Sequence, residues 1–339
     1  MTAVAARNPN AHFHILTKVP EWLFADSLTC PFTYHSMLTD VGLIQNDPLR
    51  EDLPRTLQAL RGLMPFPSEE IKATAEMISS LGCRLVICDI APIGIAVARE
   101  AGVPSVLIEN FLWDWIYEGY LEQEPALQEY VDYTRDLYAS VDYHIQTDPV
   151  CHRWDACLTT PPISRSPRLP DGAVRQRLSI PSQTKIVVIT MGGVRYEYDF
   201  FNQLYRSPEW HFIIPGGGEQ MQTVKNVTVM PWQSDLYHPD LIHTADLVVG
   251  KVGYSTLAEC YHAGVPFGYI GRSVFRESPV LAAYVEAEMA GAPIAVPALE
   301  SGEWLKSVPQ LLAMPRAERR SQVGADQVAR LIISLDGCS

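Results

Sequence analysis

The chain has 339 residues, 47% of them hydrophobic and 19% charged, with 26 prolines. That profile excludes disordered, collagen-like and coiled-coil proteins, and at roughly 150 residues per domain it gives about two domains. A net charge of −13 with a pI of about 5.1 excludes general electrostatic attachment to nucleic acid or to an anionic membrane, both of which need a basic face.

No run of 18 apolar residues occurs, and the opening TAVAARNPNAH carries no charged-then-apolar leader pattern. The expectation is therefore a cytoplasmic chain without a transmembrane segment. The seven cysteines (Cys30, Cys83, Cys88, Cys151, Cys157, Cys260, Cys338) are odd in number and form no CxxC pair. Reduced, structural thiols are expected rather than a disulfide scaffold or a zinc ribbon.

Short apolar runs rich in β-branched residues alternate with helical stretches, as parallel strands do when helices cover both faces. The class is α/β, doubly wound. In the first half, strands are expected at His12–Leu16, Leu85–Cys88, Ser105–Ile108 and Tyr143–Ile145, with helices at Ser68–Leu81 and Ile93–Ala101. The rhythm restarts with strands at Lys185–Thr190, His211–Ile214, Val227–Val229, Leu247–Val249, Phe267–Ile270 and Pro293–Val296. Between the series lies TTPPISRSPRLPDG, whose prolines cannot continue a helix or a central strand. The expected organisation is a first domain over 1–150, a linker over 151–172, a second domain over 173–315 and a terminal segment over 316–339. The last of these carries the helix Arg316–Ser334, free to pack back across the first domain.

The richest stretch is Ala245–Gly271, where a strand ends at Gly250 and a helix begins near Ser255. Gly253 permits close backbone approach, and a helix N-terminus offers free N–H groups and a positive dipole end, which suits a diphosphate. Ser255 and Thr256 can cap and donate, and Glu259, one turn on, can accept from both hydroxyls of a ribose. An ordinary βα turn with a capping serine fits the same spacing. Gly192 and Gly193 follow a strand, at the end where ligands sit in open α/β sheets, although a plain turn looks the same. Trp232 and Gln233 also follow a strand and suit a flat base, or else the core. Arg276 and Glu277, in FRESP before the helix Val280–Met289, can meet phosphate and sugar hydroxyls or make capping and salt-bridge contacts.

Asp235, His238, Asp240 and His243 are ligand types, but their spacing matches no closed metal site, so no metal is expected. In the first half, Asp89 and the run Glu109–Tyr120 follow consecutive strands. Asn110, Trp113, Asp114 and Tyr117 are therefore candidates for a cleft wall, with aromatic faces suited to a sugar ring. Upstream, Gly42–Asp52 reads as a polar loop holding Gln45 and Asp47. No G-x-S-x-G elbow and no G-x-x-x-x-G-K-[ST] loop is present, which argues against a serine hydrolase and a P-loop kinase.

Gly250–Glu259 (GKVGYSTLAE) followed by Ala263–Pro266 (AGVP) resembles the donor-site motif of GT-B glycosyltransferases, among them the lipid II-forming N-acetylglucosaminyltransferase and plant UDP-sugar transferases. A resemblance over most of the chain is to the N-terminal, glycosyltransferase-like region of plant L-arabinokinases. It runs through VGLIQNDPL, LVICDIAPIGIA, ENFLWDWIYEGY, GKVGYST and FRESP in one order. The resemblance implies two Rossmann-like domains facing across a cleft. It also implies a metal-independent transfer from a nucleotide-diphosphate sugar, a UDP-sugar by preference, to an unidentified hydroxyl acceptor, with no other cofactor. A nucleotide-sugar 2-epimerase or a non-catalytic nucleotide-sugar-binding regulator shares the architecture.

By residue, the resemblance puts Gly253, Ser255 and Thr256 on the donor diphosphate, with Lys251 and the glycines Gly192 and Gly193 near it, and counts Tyr254 among the donor-binding residues. Glu259 goes to the ribose, Trp232 to the base, and Arg276 and Glu277 to the sugar. Gln45, Asn110, Trp113 and Tyr117 fall on the acceptor side, and Asp89, Asp114 and Asp47 are the first-domain candidates for catalytic base. On that assignment Glu259→Ala weakens nucleotide binding before it disturbs the fold. The family's opening strand and Gly/His loop have no counterpart here, and Met1–Asn10 reads as the end of the helix that follows them. The expectation is a natural chain that starts further upstream.

Overall fold

The structure, a computed structural model, describes residues 1–194 and 196–336, so Cys338 lies outside the described residues. In the first half, strands β1 (Phe13–Thr17) and β2 (Phe32–Ser36) form a parallel pair, and β3 (Gln45–Asp47) and β4 (Arg50–Glu51) form an antiparallel hairpin. Strands β5 (Val86–Asp89), β6 (Ser105–Glu109), β7 (Tyr143–Thr147) and β8 (Leu158–Thr160) make a parallel sheet in that order. β1 and β5 each pair on one side only among the described residues. Phe13 and Leu85 nevertheless pack into one apolar cluster with Val4 of the Thr2–Arg7 helix, so the two fragments lie side by side. Ile87, on β5, exposes 39% of its surface, a large value for an isoleucine in a parallel sheet.

The second half supplies β9 (Lys185–Thr190), β10 (Trp210–Pro215), β11 (Gln222–Val224), β12 (Val227–Met230), β13 (Leu247–Lys251), β14 (Phe267–Ile270) and β15 (Gly291–Pro293). They lie in the order β11-β12-β10-β9-β13-β14-β15, with only β11 antiparallel. Val187, Val188, Ile189, Ile213 and Val248 are wholly buried, which explains why these strands read as continuous apolar runs rather than alternating ones. One face packs on Leu241, Leu257, Cys260 and Leu281, the other on Phe200, Leu204, Trp304 and Val308.

Several boundaries differ from expectation for local reasons. The first strand is Phe13–Thr17 rather than His12–Leu16. The strand expected at Pro293–Val296 is β15, which ends at Pro293, and a helix starts at Val296 with a proline in its first turn. Part of the expected linker, Leu158–Thr160, pairs with β7 and completes the first sheet. The terminal helix runs Val323–Asp336 and packs on β8 and on the Thr2–Arg7 helix, with Arg7 bonded to Asp326 at 3.0 Å.

A polar seam joins the halves. Arg272 meets Glu51 at 3.1 Å, Asn110 donates to Glu277 at 2.9 Å, and Arg276 donates to the Trp115 carbonyl at 2.5 Å and to Glu118 at 3.1 Å. Phe111 and Phe275 meet edge to face beside it, with centroids 6.1 Å apart.

Gly250 lets β13 approach β9: a β-carbon there would stand 1.9 Å from the Thr190 carbonyl oxygen. Backbone cannot yield as a flexible side chain can, so Gly250→Ala should cost about 3 kcal/mol or more, read as a lower urea midpoint with an unchanged slope. An unchanged midpoint would contradict this packing.

Candidate functional site

Strands β10 and β12 extend the second sheet to one side of β9, and β13 and β14 extend it to the other. The crevice between the carboxyl ends of β9 and β13 is where the chain's direction of travel reverses, and open α/β sheets bind ligands at such points. Here β9 runs into Gly192, at φ +73°, and Gly193. β13 runs into Gly253, the cap residue of the Tyr254–Ala263 helix. No side chain caps that helix, so its first-turn N–H groups stay available and its positive dipole end faces the crevice. A cleft of about 850 Å³ opens there, and Gly192, Gly193, Trp232, Ser255, Thr256 and Glu259 all line it.

Trp232 is 48% exposed, and its ring rests on Gly216, where a β-carbon would come within 3.1 Å of the indole. The opposite wall comes from the first half: Trp22 and Asp26 of the Glu21–Ser27 helix reach the same cleft. Asp26 pairs with Arg168 at 3.4 Å, and the Arg168 guanidinium lies 3.9 Å from the centre of the Tyr237 ring. This pocket therefore has a flat indole on one side, backbone N–H donors at its floor and two linker arginines at its edge.

Glu259 is buried and occupied. One oxygen accepts from Arg165 Nε and Nη2 at 3.1 and 2.9 Å, and the other meets His238 Nδ1 at 2.7 Å. Burial works to raise its pKa, but His238 and Arg165 outweigh it and hold the carboxyl below its ordinary value. Glu259 thus ties the linker to the second sheet as well as facing the cleft. Glu259→Ala would remove the shared acceptor of two cations, so its effect on stability accompanies any effect on binding.

Lys251 stands beneath the glycines, its Nζ 3.5 Å from the place a Gly192 β-carbon would take. Burial, with Arg272 adding repulsion, pushes its pKa down to about 8, while Glu277 and Glu51 act in the opposite direction. An anion in the cleft would favour the charged form of this amine.

Other expected site residues are engaged elsewhere. Tyr254 accepts from the Ile163 N–H at 3.0 Å and ties the linker to the helix. Arg276 and Glu277 are engaged in the seam, and Gly119 leaves no room for a β-carbon against the Arg276 stem. Asn110 is the seam partner of Glu277. Trp113 donates to Asp40 at 3.0 Å and stacks on Tyr117, whose hydroxyl donates to the Gly42 carbonyl at 3.1 Å. Both rings therefore anchor the loop after β2 through their polar tips.

Asp114 is buried on Arg135 at 3.3 Å, and Asp47 closes the β3–β4 turn by accepting from Leu49 N–H at 2.8 Å. Gln45 sits in that hairpin, not in a loop, opposite Glu51. The four ligand-type residues also part company. His238 holds Glu259, Asp240 accepts from the Arg168 and Leu169 N–H groups at 2.6 and 2.9 Å, and His243 pairs with Asp171 at 3.3 Å. Asp235 lines the cleft. Among the described residues no cluster of three or more His, Cys, Asp or Glu side chains could hold a metal.

Asp89 alone of the three carboxylates has no hydrogen-bond partner among the described residues, and it is exposed at the end of β5. The next residue, Ile90, is held at φ +51°. A β-branched side chain rarely adopts that conformation and the strain is of order 1–3 kcal/mol, offset by a 2.7 Å hydrogen bond from Tyr138 Oη to the Ile90 carbonyl. Strained turns of this kind concentrate at functional sites.

Sequence reasoning missed Trp22, Arg165, Arg168 and Asp40. The linker arginines sit in a Pro/Ser-rich stretch whose only local signal is that it is a loop. Their neighbours Glu259, Asp26 and Tyr237 are far away in the sequence.

No protein-family profile matches the chain. It is 25% identical over 296 residues to the L-arabinokinase of Arabidopsis thaliana, a match that covers 86% of this chain and 28% of that protein. The chain therefore spans little more than a quarter of the length of this curated relative. Among solved structures it is similar to the kitacinnamycin glycotransferase, with a TM-score of 0.61 at 15% identity over 96% of this chain and 98% of that one. It is also similar to a UDP-glucose:anthocyanidin 3-O-glucosyltransferase solved with UDP, with a TM-score of 0.60 at 13% identity over 99% and 94%. The fold is GT-B, with two doubly wound Rossmann-like halves facing across a cleft. Among the described residues no helix is long and apolar enough to cross a membrane.

The depressed Glu259 pKa fixes the sign of an acid effect. Its stabilisation is present above the unfolded-chain value of about 4.3 and is lost as pH falls through the folded value. Glu259→Gln should therefore cost on the order of 2 kcal/mol at pH 7, less than a fully enclosed pair because Arg165 and His238 keep some contact with water. It should also flatten the loss of stability between about pH 5 and pH 3 in urea melts. A variant with the parent's acid profile would remove Glu259 from that role.

Proposed function

We propose that the chain is a GT-B glycosyltransferase that takes a nucleotide-diphosphate sugar, with uridine as the favoured base, and passes the sugar to a hydroxyl acceptor. The carrying observation is the uncapped N-terminus of the Tyr254–Ala263 helix at the reversal point of the second sheet, opening into a cleft that also holds Gly192, Gly193 and an exposed indole. The base would lie on Trp232, and the diphosphate on the first-turn N–H groups with the Ser255 and Thr256 hydroxyls. The similar glucosyltransferase was solved with UDP, which supports the choice of base.

In the proposed reaction the acceptor oxygen attacks the anomeric carbon, the bond to the diphosphate oxygen breaks, and the nucleoside diphosphate leaves. Preorganised N–H dipoles and the Lys251 ammonium take up the charge that develops on the leaving oxygens. Asp89 is the proposed acceptor of the hydroxyl proton, on the ground that Asp114 and Asp47 are consumed by structural partners. No metal enters this scheme, because the leaving charge is met by backbone and Lys251.

Thermal melts with UDP, dTDP, GDP, ADP and the matching glucose conjugates test the donor. At about 100-fold excess over Kd, one base should raise the melting temperature by roughly 3 °C or more, and the others by little. The gain should fall as pH rises through about 8, where Lys251 loses its proton, and Lys251→Met should remove that dependence. No shift with any nucleotide would sink the reading. Asp89→Asn should lower transfer or donor turnover by about 100-fold or more with unchanged nucleotide affinity; full turnover would remove Asp89 as the base.

A further inference from the structure

A second cavity lies outside the nucleotide cleft. It measures about 330 Å³ and is walled by the β3–β4 hairpin and the turn after the Trp113–Glu118 helix, with Val274 of the second half closing one side. Glu51, Tyr120, Asn46 and Gln123 line it. Tyr120 is only 1% exposed and its hydroxyl lacks a hydrogen-bond partner. Glu51 gives one oxygen to Arg272 at 3.1 Å, and its carboxylate also faces the Tyr120 hydroxyl. Gln45 Oε1 and Arg272 Nε, beside the same carboxylate, are also buried and unpartnered.

Buried polar atoms in folded proteins are almost always paired, and each orphan costs about 1–3 kcal/mol, so a buried tyrosine hydroxyl without a well-formed hydrogen bond in the wall of a cavity, with two more orphans in residues packed behind it, calls for an explanation. We propose that the cavity is a binding site for a single uncharged sugar ring. The volume is at the small end for ligand pockets and suits one ring rather than a nucleotide. Glu51 accepts from neighbouring hydroxyls, Tyr120 Oη donates to one, and the Asn46 and Gln123 amides can do both. Arg272 is committed to Glu51 and no free cation lines the wall, so a phosphate or carboxylate is disfavoured. Lys251 links the two cavities: it feels the charges of Glu51 and Arg272 on one side and stands beneath Gly192 on the other. The role of the ring, as acceptor or part of one, rests on the transferase reading; its binding does not.

The test is saturation-transfer NMR on the whole chain with free pentoses, hexoses and myo-inositol, without nucleotide. At least one should receive saturation. Tyr120→Phe should weaken it roughly fivefold or more while leaving the melting temperature equal or higher, because it deletes an orphaned hydroxyl. Asn46→Trp, at the exposed rim, should abolish binding by filling the cavity. The site is overturned if no sugar binds, if either variant leaves binding unchanged, or if Tyr120→Phe lowers the melting temperature, which would show that the hydroxyl has a structural partner. Binding of a sugar with no response to any nucleotide would sink the transferase reading and leave this site standing; the reverse result would do the opposite.

Discussion

The two halves meet through buried polar pairs, with Phe275 packed into the apolar core of the first half beside them, and that seam governs which side chains are left for chemistry. Glu51 and Arg272 keep only 9% and 4% of their side-chain surface exposed, and Asn110 with Glu277 is buried beside them. Removing one partner of such a pair strands the other in a low-dielectric setting, whereas an intact pair contributes modest net stability and strong geometric specificity. Because Arg276 and Glu277 are used here, the cleft draws its polar groups from elsewhere: backbone N–H groups, two hydroxyls, and arginines from the linker.

The same economy shows in how the cleft handles charge. A chain with a net charge of −13 repels free phosphate at long range, so an anion must be met at short range by oriented dipoles. The Tyr254–Ala263 helix supplies them, and Lys251 stands behind at a pKa lowered to about 8. Glu259 closes the circuit by holding Arg165 and His238 at the cleft wall. Floor, wall and linker are thus coupled through one carboxylate, and a substitution there acts on stability as well as on the shape of the cleft.

The second half was legible because its signals are local. Continuous Val/Ile runs announce strands covered on both faces, and a glycine turn between a strand and a helix announces an open helix N-terminus wherever it occurs. Ser255, Thr256, Gly192, Gly193 and Trp232 follow from their positions after strands and do line one cleft. The first half was harder to read. The strand Phe32–Ser36 has only one buried-leaning face, and the hairpin Gln45–Glu51 is made of polar residues whose pairing no periodicity reveals. Trp113 and Tyr117 have the composition of a sugar platform, yet both polar tips are taken by Asp40 and the Gly42 carbonyl.

By itself, the sequence determined the α/β class, the two-part run of its strand series and the glycine turn that leaves a helix N-terminus uncapped, since each depends on residues within a few positions of one another. Only the tertiary structure decided which polar side chains were free. Arg276 went to Glu118, Tyr254 to Ile163 and Asp114 to Arg135, while Asp89 kept its carboxylate and Tyr120 its unmet hydroxyl. A hydrogen bond is settled by which distant groups arrive at the same point with the right geometry, and that information appears only when the two halves are assembled.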